Sequence, residues 1–354
     1  MTKPPLPSDW AKINNFLKHE TPEKECLIDR LLYRRDLVAL GGRRRHGKTT
    51  FTLNLSVSLA SGIPLLGWDI PSPRRVVACL LEDDTREIQD KTKGVLNGHH
   101  CVRENLFLFT REYFSQNEIT VRASSAKFVD SMCAICSDCK PDCIILDNAA
   151  QLVGGDVNNA TRVHALSTLC FDLSQEYNCA VIVAAHPRKA NETTPSLTTN
   201  AEGFFEEIMG SSHFVNSFGS LWGIQRNSDD LTHFLGGAQR FLGGQSVMAL
   251  RKRDDGWFEV VDDWEEVFDM SCGTKKRQDA WKALPQQFKF NEGFVACCEF
   301  IKSKESFSDW VRHCIRLGMM TKKGESPIYL KRNKLGFDKK LTLVESTKPS
   351  KKKP

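Results

Sequence analysis

The sequence lacks any apolar run approaching the roughly 20 residues of a bilayer-spanning helix, so no helical membrane span is expected. It also lacks an apolar signal core: Met1-Thr2-Lys3-Pro4-Pro5 leads into polar sequence, and export is not expected. No internal repeat runs through its 354 residues, which argues against a repeat array. Cysteine is not among the absences. Thirteen would suggest a disulfide scaffold in a short secreted chain, but in a long chain without an export signal they read as reduced thiols of a cytoplasmic protein. The apolar share (40%) and charged share (26%) are ordinary for a globular protein, and the length allows one sizeable core and one small one.

The net charge of +5 conceals an asymmetry. Residues 271–354 hold 20 Lys and Arg against 8 Asp and Glu, a balance of +12, while residues 1–270 carry −7. An acidic body with a basic C-terminal piece points to a polyanion partner, with DNA as the expectation. The run Lys351-Lys352-Lys353 alone reads as a solvated tail.

Short apolar runs at 36–40, 75–81, 106–109, 143–146 and 180–185 read as strands, with helices at 49–61, 126–139 and 160–177 between them. Nearly continuous apolar strands separated by helices predict an α/β fold with a mostly parallel central sheet covered on both faces. A Pro-rich segment, 1–35, reads as an arm on the domain at 36–270. Runs at 246–250 and 257–261 around Asp254-Asp255-Gly256 predict a closing hairpin.

The strand at 36–40 opens into Gly42-Arg43-Arg44-Arg45-His46-Gly47-Lys48-Thr49 and then a helix, the Walker A arrangement in its required context. Gly42 and Gly47 let backbone N–H groups face phosphate, Lys48 is expected to reach the β- and γ-phosphates, and Thr49 to bind Mg²⁺. Thr50 supports the helix start and is counted with the nucleotide-binding residues. Three arginines inside the loop are unusual; each either meets phosphate or points to solvent or an acidic neighbour. Ile144-Ile145-Leu146-Asp147 has the Walker B form, placing Asp147 on the Mg²⁺ shell. Glu82, at the end of the strand expected to neighbour the phosphate-loop strand, is the candidate base that orients water, ahead of Asp83 and Asp84. His186, at another strand end, is a candidate contact for the γ-phosphate.

Together with Leu80-Leu81-Glu82-Asp83, Leu146-Asp147-Asn148-Ala149-Ala150, Ala184-Ala185-His186-Pro187-Arg188-Lys189 and Gly210-Ser211-Ser212, these residues resemble the RecA-like ATPases of the RepA type, the replicative helicases of plasmids and related phage and mobile-element ATPases. The resemblance covers roughly residues 26–261. It implies ATP and Mg²⁺ as ligands, Glu82 as catalytic glutamate, His186 as sensor, and a homo-oligomeric ring, commonly a hexamer, with DNA in its channel. An arginine finger is implied after Gly210-Ser211-Ser212, yet this chain has Gly219 there and its next arginine is Arg226. The alternative is therefore a non-unwinding ATPase switch that loads or regulates. The polar stretch 190–209 is expected to face DNA or to be disordered.

Cys133, Cys136, Cys139 and Cys143 have iron–sulfur-like spacing, but 126–139 reads as a helix in which Phe128, Met132, Ile135 and Cys139 fall at helical spacing, Cys143 begins the next strand, and a core role is preferred. Residues 271–345 resemble a winged helix, with helices at 292–302 and 306–317 and a wing after Gly318. Arg312, Arg316, Lys322 and Lys323 would then contact DNA, and residues 346–354 form a basic tail.

Overall fold

Strands of β-branched and small apolar residues build a nine-stranded sheet in the computed structural model. It describes residues 12–18, 23–97, 103–154, 159–186, 196–198, 201–207, 212–227, 232–239, 247–261, 275–316, 319–322 and 328–331. A small hairpin, β1 (Cys26–Ile28) and β2 (Leu32–Tyr33), precedes the sheet. The sheet strands are β3 (Leu37–Gly41), β4 (Val76–Leu80), β5 (Leu106–Thr110), β6 (Cys143–Asp147), β7 (Ala180–Ala185), β8 (Ser220–Arg226), β9 (Thr232–Gln239), β10 (Val247–Lys252) and β11 (Phe258–Val260). Their order is β11-β10-β9-β8-β3-β7-β6-β4-β5. The strands from β8 to β5 are parallel, and β9, β10 and β11 extend the sheet antiparallel beyond β8.

Alternation along the parallel strands divides the interior into two cores. Val77, Cys79, Ile144, Leu146, Val181 and Val183 point to one face, where α3 (Ala126–Cys139), α4 (Ala149–Val153) and α5 (Ala160–Glu176) pack. Val76, Ala78, Cys143, Ile145, Ala180 and Ile182 point to the other, where α1 (Lys48–Ser61) lies with Phe51, Leu55 and Leu59. Helix α1 is buried almost all round, as its apolar residues on every side require. Ser56 and Asn54 on this helix are satisfied locally and by the sheet edge: Ser56 Oγ donates to Thr52 O (2.6 Å), and Phe258 N donates to Asn54 Oδ1 (2.7 Å). Gly62, in the left-handed region at φ 69°, ends the helix.

Several expectations are adjusted. Within the segment expected to pack on the domain as an arm, 26–33 is a hairpin whose Leu27, Ile28 and Leu32 are fully buried in the α1-side core. Strands β8 and β9 lay outside the expected pattern, because glycines at 223, 236 and 237 interrupt their apolar alternation. In the stretch 190–209, Leu197, Phe204 and Phe205 are buried against the sheet, and Ala201–Glu206 is helical; positions 190–195, 199–200 and 208–209 lie outside the described residues. The strand ending before Glu82 is not next to the phosphate-loop strand, since β7 and β6 stand between β3 and β4.

Beyond the sheet, α6 (Lys275–Ala283), β12 (Gln287–Lys289), α7 (Phe290–Cys297), α8 (Lys304–Arg316), β13 (Met320–Lys322) and β14 (Ile328–Lys331) form a module with an antiparallel sheet of order β12-β14-β13. Its centre is aromatic: Trp281 and Trp310 meet edge to face at 6.4 Å, and Phe307 is fully buried beside Trp310. The helix expected at 292–302 is α7, displaced toward the N-terminus; α6 and the three-residue β12 were too short or too polar to stand out. His313 Nδ1 lies 3.0 Å from Thr198 O, joining α8 to the segment before β8.

Candidate nucleotide site

Parallel strands bring their C-terminal ends to one edge, where the candidate residues gather. Gly41 pairs with Ala185 of β7 and Gly223 of β8, so the phosphate loop leaves the sheet from between two strands. Space there is tight: a Cβ on residue 42 would lie 2.7 Å from Ile224 O. Gly47 has φ 83°, and its hypothetical Cβ would lie 3.1 Å from His233 Nε2, so conformation and space both demand glycine. Helix α1 starts at Lys48 and aims its unpaired N–H groups at the pocket, which makes an anion site. Behind the loop, His46 Nδ1 accepts from Arg226 N (3.2 Å), and burial first, then nearby cations, pushes the His46 pKa down to about 4. His46 is thus neutral and structural at ordinary pH.

Lys48 is buried and its ammonium is fully engaged. Nζ donates to Gly42 O (2.9 Å) and Arg43 O (3.1 Å) and lies 2.9 Å from His186 Nδ1. An ammonium has only hydrogens to give, so Nδ1 accepts and the imidazole proton sits on Nε2. That Nε2 is 3.2 Å from Glu82 Oε2, which also accepts from Asn148 Nδ2. A continuous link therefore runs from the phosphate loop through His186 to Glu82 and Asn148, although β7 and β6 separate the strands that carry its ends. The His186 hydrogen bond, helped by Lys48 and Asn148, holds the Glu82 pKa well below the ordinary carboxylate value against the effect of burial. Glu82 is an anion at any working pH. Asp84 caps α2 (Thr85–Leu96) by accepting from Glu87 N, and Asp83 pairs with Lys91 at 2.6 Å, so both neighbours of Glu82 are otherwise employed. Asn148 was not singled out from the sequence; it directly follows Asp147, but no spacing rule ties it to Glu82.

Burial pushes the Lys48 pKa down to about 8, against the raising pull of Asp147, Glu82 and Asp83. Lys48 is charged below that pH and neutral above it, and a triphosphate favours the charged form. Nucleotide affinity should therefore fall as pH rises through about 8. At pH 9, binding should take up a proton, visible as a dye shift in weakly buffered solution; no uptake would refute the assignment.

Asp147 ends β6 fully buried, and neither carboxylate oxygen has a hydrogen-bond partner among the described residues. Burial raises its pKa, and the nearby Thr49 hydroxyl and Lys48 only partly oppose this. Thr49 approaches without meeting hydrogen-bond geometry, so the buried acceptors are unsatisfied. Such a pair is costly unless a cation completes it. Hard oxygen donors from Asp147 and Thr49 suit Mg²⁺, and these residues fit the ion.

A pocket of about 470 Å³ covers this edge. Lys48, Thr49, Thr50, Glu82 and His186 line it, as expected from the sequence, with Arg44 and Arg45. The opposite wall carries Arg226, His233 and Lys252 from β8, β9 and β10, which sequence spacing did not connect to the loop. Arg226 thus faces the site of its own chain. Gly219 has no neighbour within 4 Å of a built Cβ.

The residues assigned to DNA lie apart from this pocket. Arg312 is exposed on α8 and pairs with Asp309 at 2.5 Å, and Lys322 is exposed on β13. The Arg316 side chain and Lys323 lie outside the described residues. Cys133, Cys136 and Cys139 stay in α3 and Cys143 in β6, and no metal-competent cluster occurs among the described residues. Burial pushes the thiols of Cys136, Cys139 and Cys143 upward, as befits core groups. No helix among the described residues is long and apolar enough to cross a membrane.

No curated protein matches the chain. A family model described as an AAA domain matches residues 3–192. That span is more than half of the chain and contains the phosphate loop, Glu82, Asp147 and His186. A phosphate loop at a helix N-terminus, a buried carboxylate ending the next strand but one, and this match agree: the chain belongs to the AAA-domain family of P-loop ATPases.

Proposed function

We propose that the protein is a DNA-associated, ATP-hydrolysing motor of the RepA type, a replicative helicase or helicase-like ring ATPase of a plasmid, phage or mobile element. The observation that carries the catalytic half is the link Lys48–His186–Glu82–Asn148, which joins a phosphate ligand to a water-orienting base and to the segment after β7. In hydrolysis, a water oxygen bonds to the γ-phosphorus and the bond to the β–γ bridging oxygen breaks, its electron pair staying on ADP. Glu82 orients that water and takes its proton. Mg²⁺, held by Thr49 and Asp147, supplies charge neutralisation on the phosphates when bound. His186, released from Lys48 by a triphosphate, reports its presence to the loop after β7.

The DNA half rests on the C-terminal module. Its order, helix–strand–helix–helix–strand–strand, supports the winged-helix reading, and the +12 balance of residues 271–354 supports a polyanion partner. ATP turnover should rise at least about 5-fold with single-stranded DNA at low salt and lose that gain as salt screens the phosphates. Turnover that is insensitive to both DNA and salt would sink the motor reading. A second reading, an ATPase switch that loads or regulates without unwinding, is favoured by Gly219 and by the position of Arg226 at its own chain's pocket. ATP-dependent oligomerisation with no strand separation on a forked duplex would select it.

A further inference from the structure

Arg43-Arg44-Arg45 fills the phosphate loop with guanidinium groups that the scheme above leaves without a task, and Gly219 stands where a neighbour's arginine is expected. The structure distinguishes the three. Arg44 and Arg45 line the pocket, whereas Arg43 is absent from its wall. Arg44 goes further: its Nε is 3.9 Å from Glu82 Oε1, with 82% of the arginine side chain exposed.

The two oxygens of Glu82 have different company. Oε2 is anchored by Asn148 Nδ2 and His186 Nε2, while Oε1 faces Arg44. The anchored oxygen sets the position of the carboxylate, and Oε1 is left to meet water. An exposed pair near 4 Å is weak, because water screens it and the long side chain loses freedom. A triphosphate in the same pocket offers several charges and planar oxygen pairs that a guanidinium recognises better than one screened carboxylate oxygen. Phosphate therefore draws Arg44 from Oε1 and uncovers the base when substrate is present.

We propose that Arg44 is a catalytic residue acting in cis, moving from Glu82 to the γ-phosphate and supplying from its own phosphate loop the cation that Gly219 does not supply from a neighbour. The proposal rests on Glu82 being the base. Water bonds to the γ-phosphorus, its proton passes to Glu82 Oε1, and the electron pair of the broken bond remains on the ADP bridging oxygen. Negative charge gathers on the bridging and γ-oxygens, and Arg44 neutralises it there.

Single-turnover ATP hydrolysis and equilibrium ATP binding on Arg44→Ala, Arg44→Lys and Glu82→Gln test this, together with a mixture of Arg44→Ala and Glu82→Gln subunits. Arg44→Ala should lose about 10³-fold in rate while its ATP affinity stays within about 5-fold. Arg44→Lys, with charge but no planar fork, should recover only part of the loss. The mixture should be no faster than its components, because neither chain carries both groups. An Arg44→Ala rate within about 3-fold of the parent overturns the proposal. Recovery of activity in the mixture also overturns it, by showing that Arg44 acts across an interface. A Glu82→Gln protein as fast as the parent condemns the base assignment instead, and is read separately in the same series.

Discussion

Lys48→Met should bind ATP about 10³-fold more weakly than the parent protein and yet melt at the same temperature or higher. Both halves come from the same geometry. The ammonium is buried and its three hydrogens are spent on Gly42 O, Arg43 O and His186 Nδ1. With a pKa lowered from 10.5 to about 8, holding it charged at neutral pH costs on the order of 3 kcal/mol. Methionine keeps the volume and removes that cost, while two loop carbonyls lose a donor, so the stability change is small or favourable. The sign follows from the downward shift: the cost is fully present below about pH 8 and disappears as pH rises from there toward 10.5. Any stability advantage of the variant should vanish over the same interval. Binding behaves oppositely, because phosphates lose their buried cation. Calorimetric melts across pH with ATP titrations check both. A melting temperature lower by more than about 5 °C would mean that Lys48 is structural first.

Glu82→Gln should cut the turnover rate about 10³-fold and leave ATP binding unchanged or slightly tighter. Glutamine retains an acceptor for Asn148 Nδ2 and His186 Nε2, so the link that positions residue 82 persists. It cannot take a proton from water. Removing the anion also relieves repulsion of the incoming phosphates. Single-turnover rates beside equilibrium binding separate chemistry from affinity. A loss below about 10-fold would move the base elsewhere. Asp83 would be next, although its ion pair with Lys91 at 2.6 Å already occupies it. The prediction also bears on the two functional readings, because motor and switch need the same hydrolytic step and differ in what it drives.

Much of the catalytic edge was legible from local pattern. The phosphate loop, Asp147 at the end of an apolar strand, and Glu82 and His186 at two others depend on short stretches whose chemistry and element type are encoded within about ten residues. The strand order was not legible. Glu82 stands three strands from the phosphate loop, and its nearness to Lys48 passes through His186 on the strand beside β3. His233 and Lys252 were missed, and Arg226 was considered only in relation to a neighbour's site, for the same reason: they reach the pocket from strands distant in sequence. The strands Cys26–Ile28 and Leu32–Tyr33 inside the expected packing arm were not legible, because two- and three-residue strands carry too little periodicity to register.

The amino-acid order alone determined that this chain holds a phosphate-binding loop on an α/β sheet, followed by a basic folded piece, because glycine spacing, strand hydrophobicity and charge are local properties. Tertiary structure decided which groups meet. It gave Lys48 a histidine, left both oxygens of Asp147 without a donor among the described residues, and set one arginine of three against Glu82. These are outcomes of strand order and of what burial removes from water, and neither is written in any short stretch of the chain.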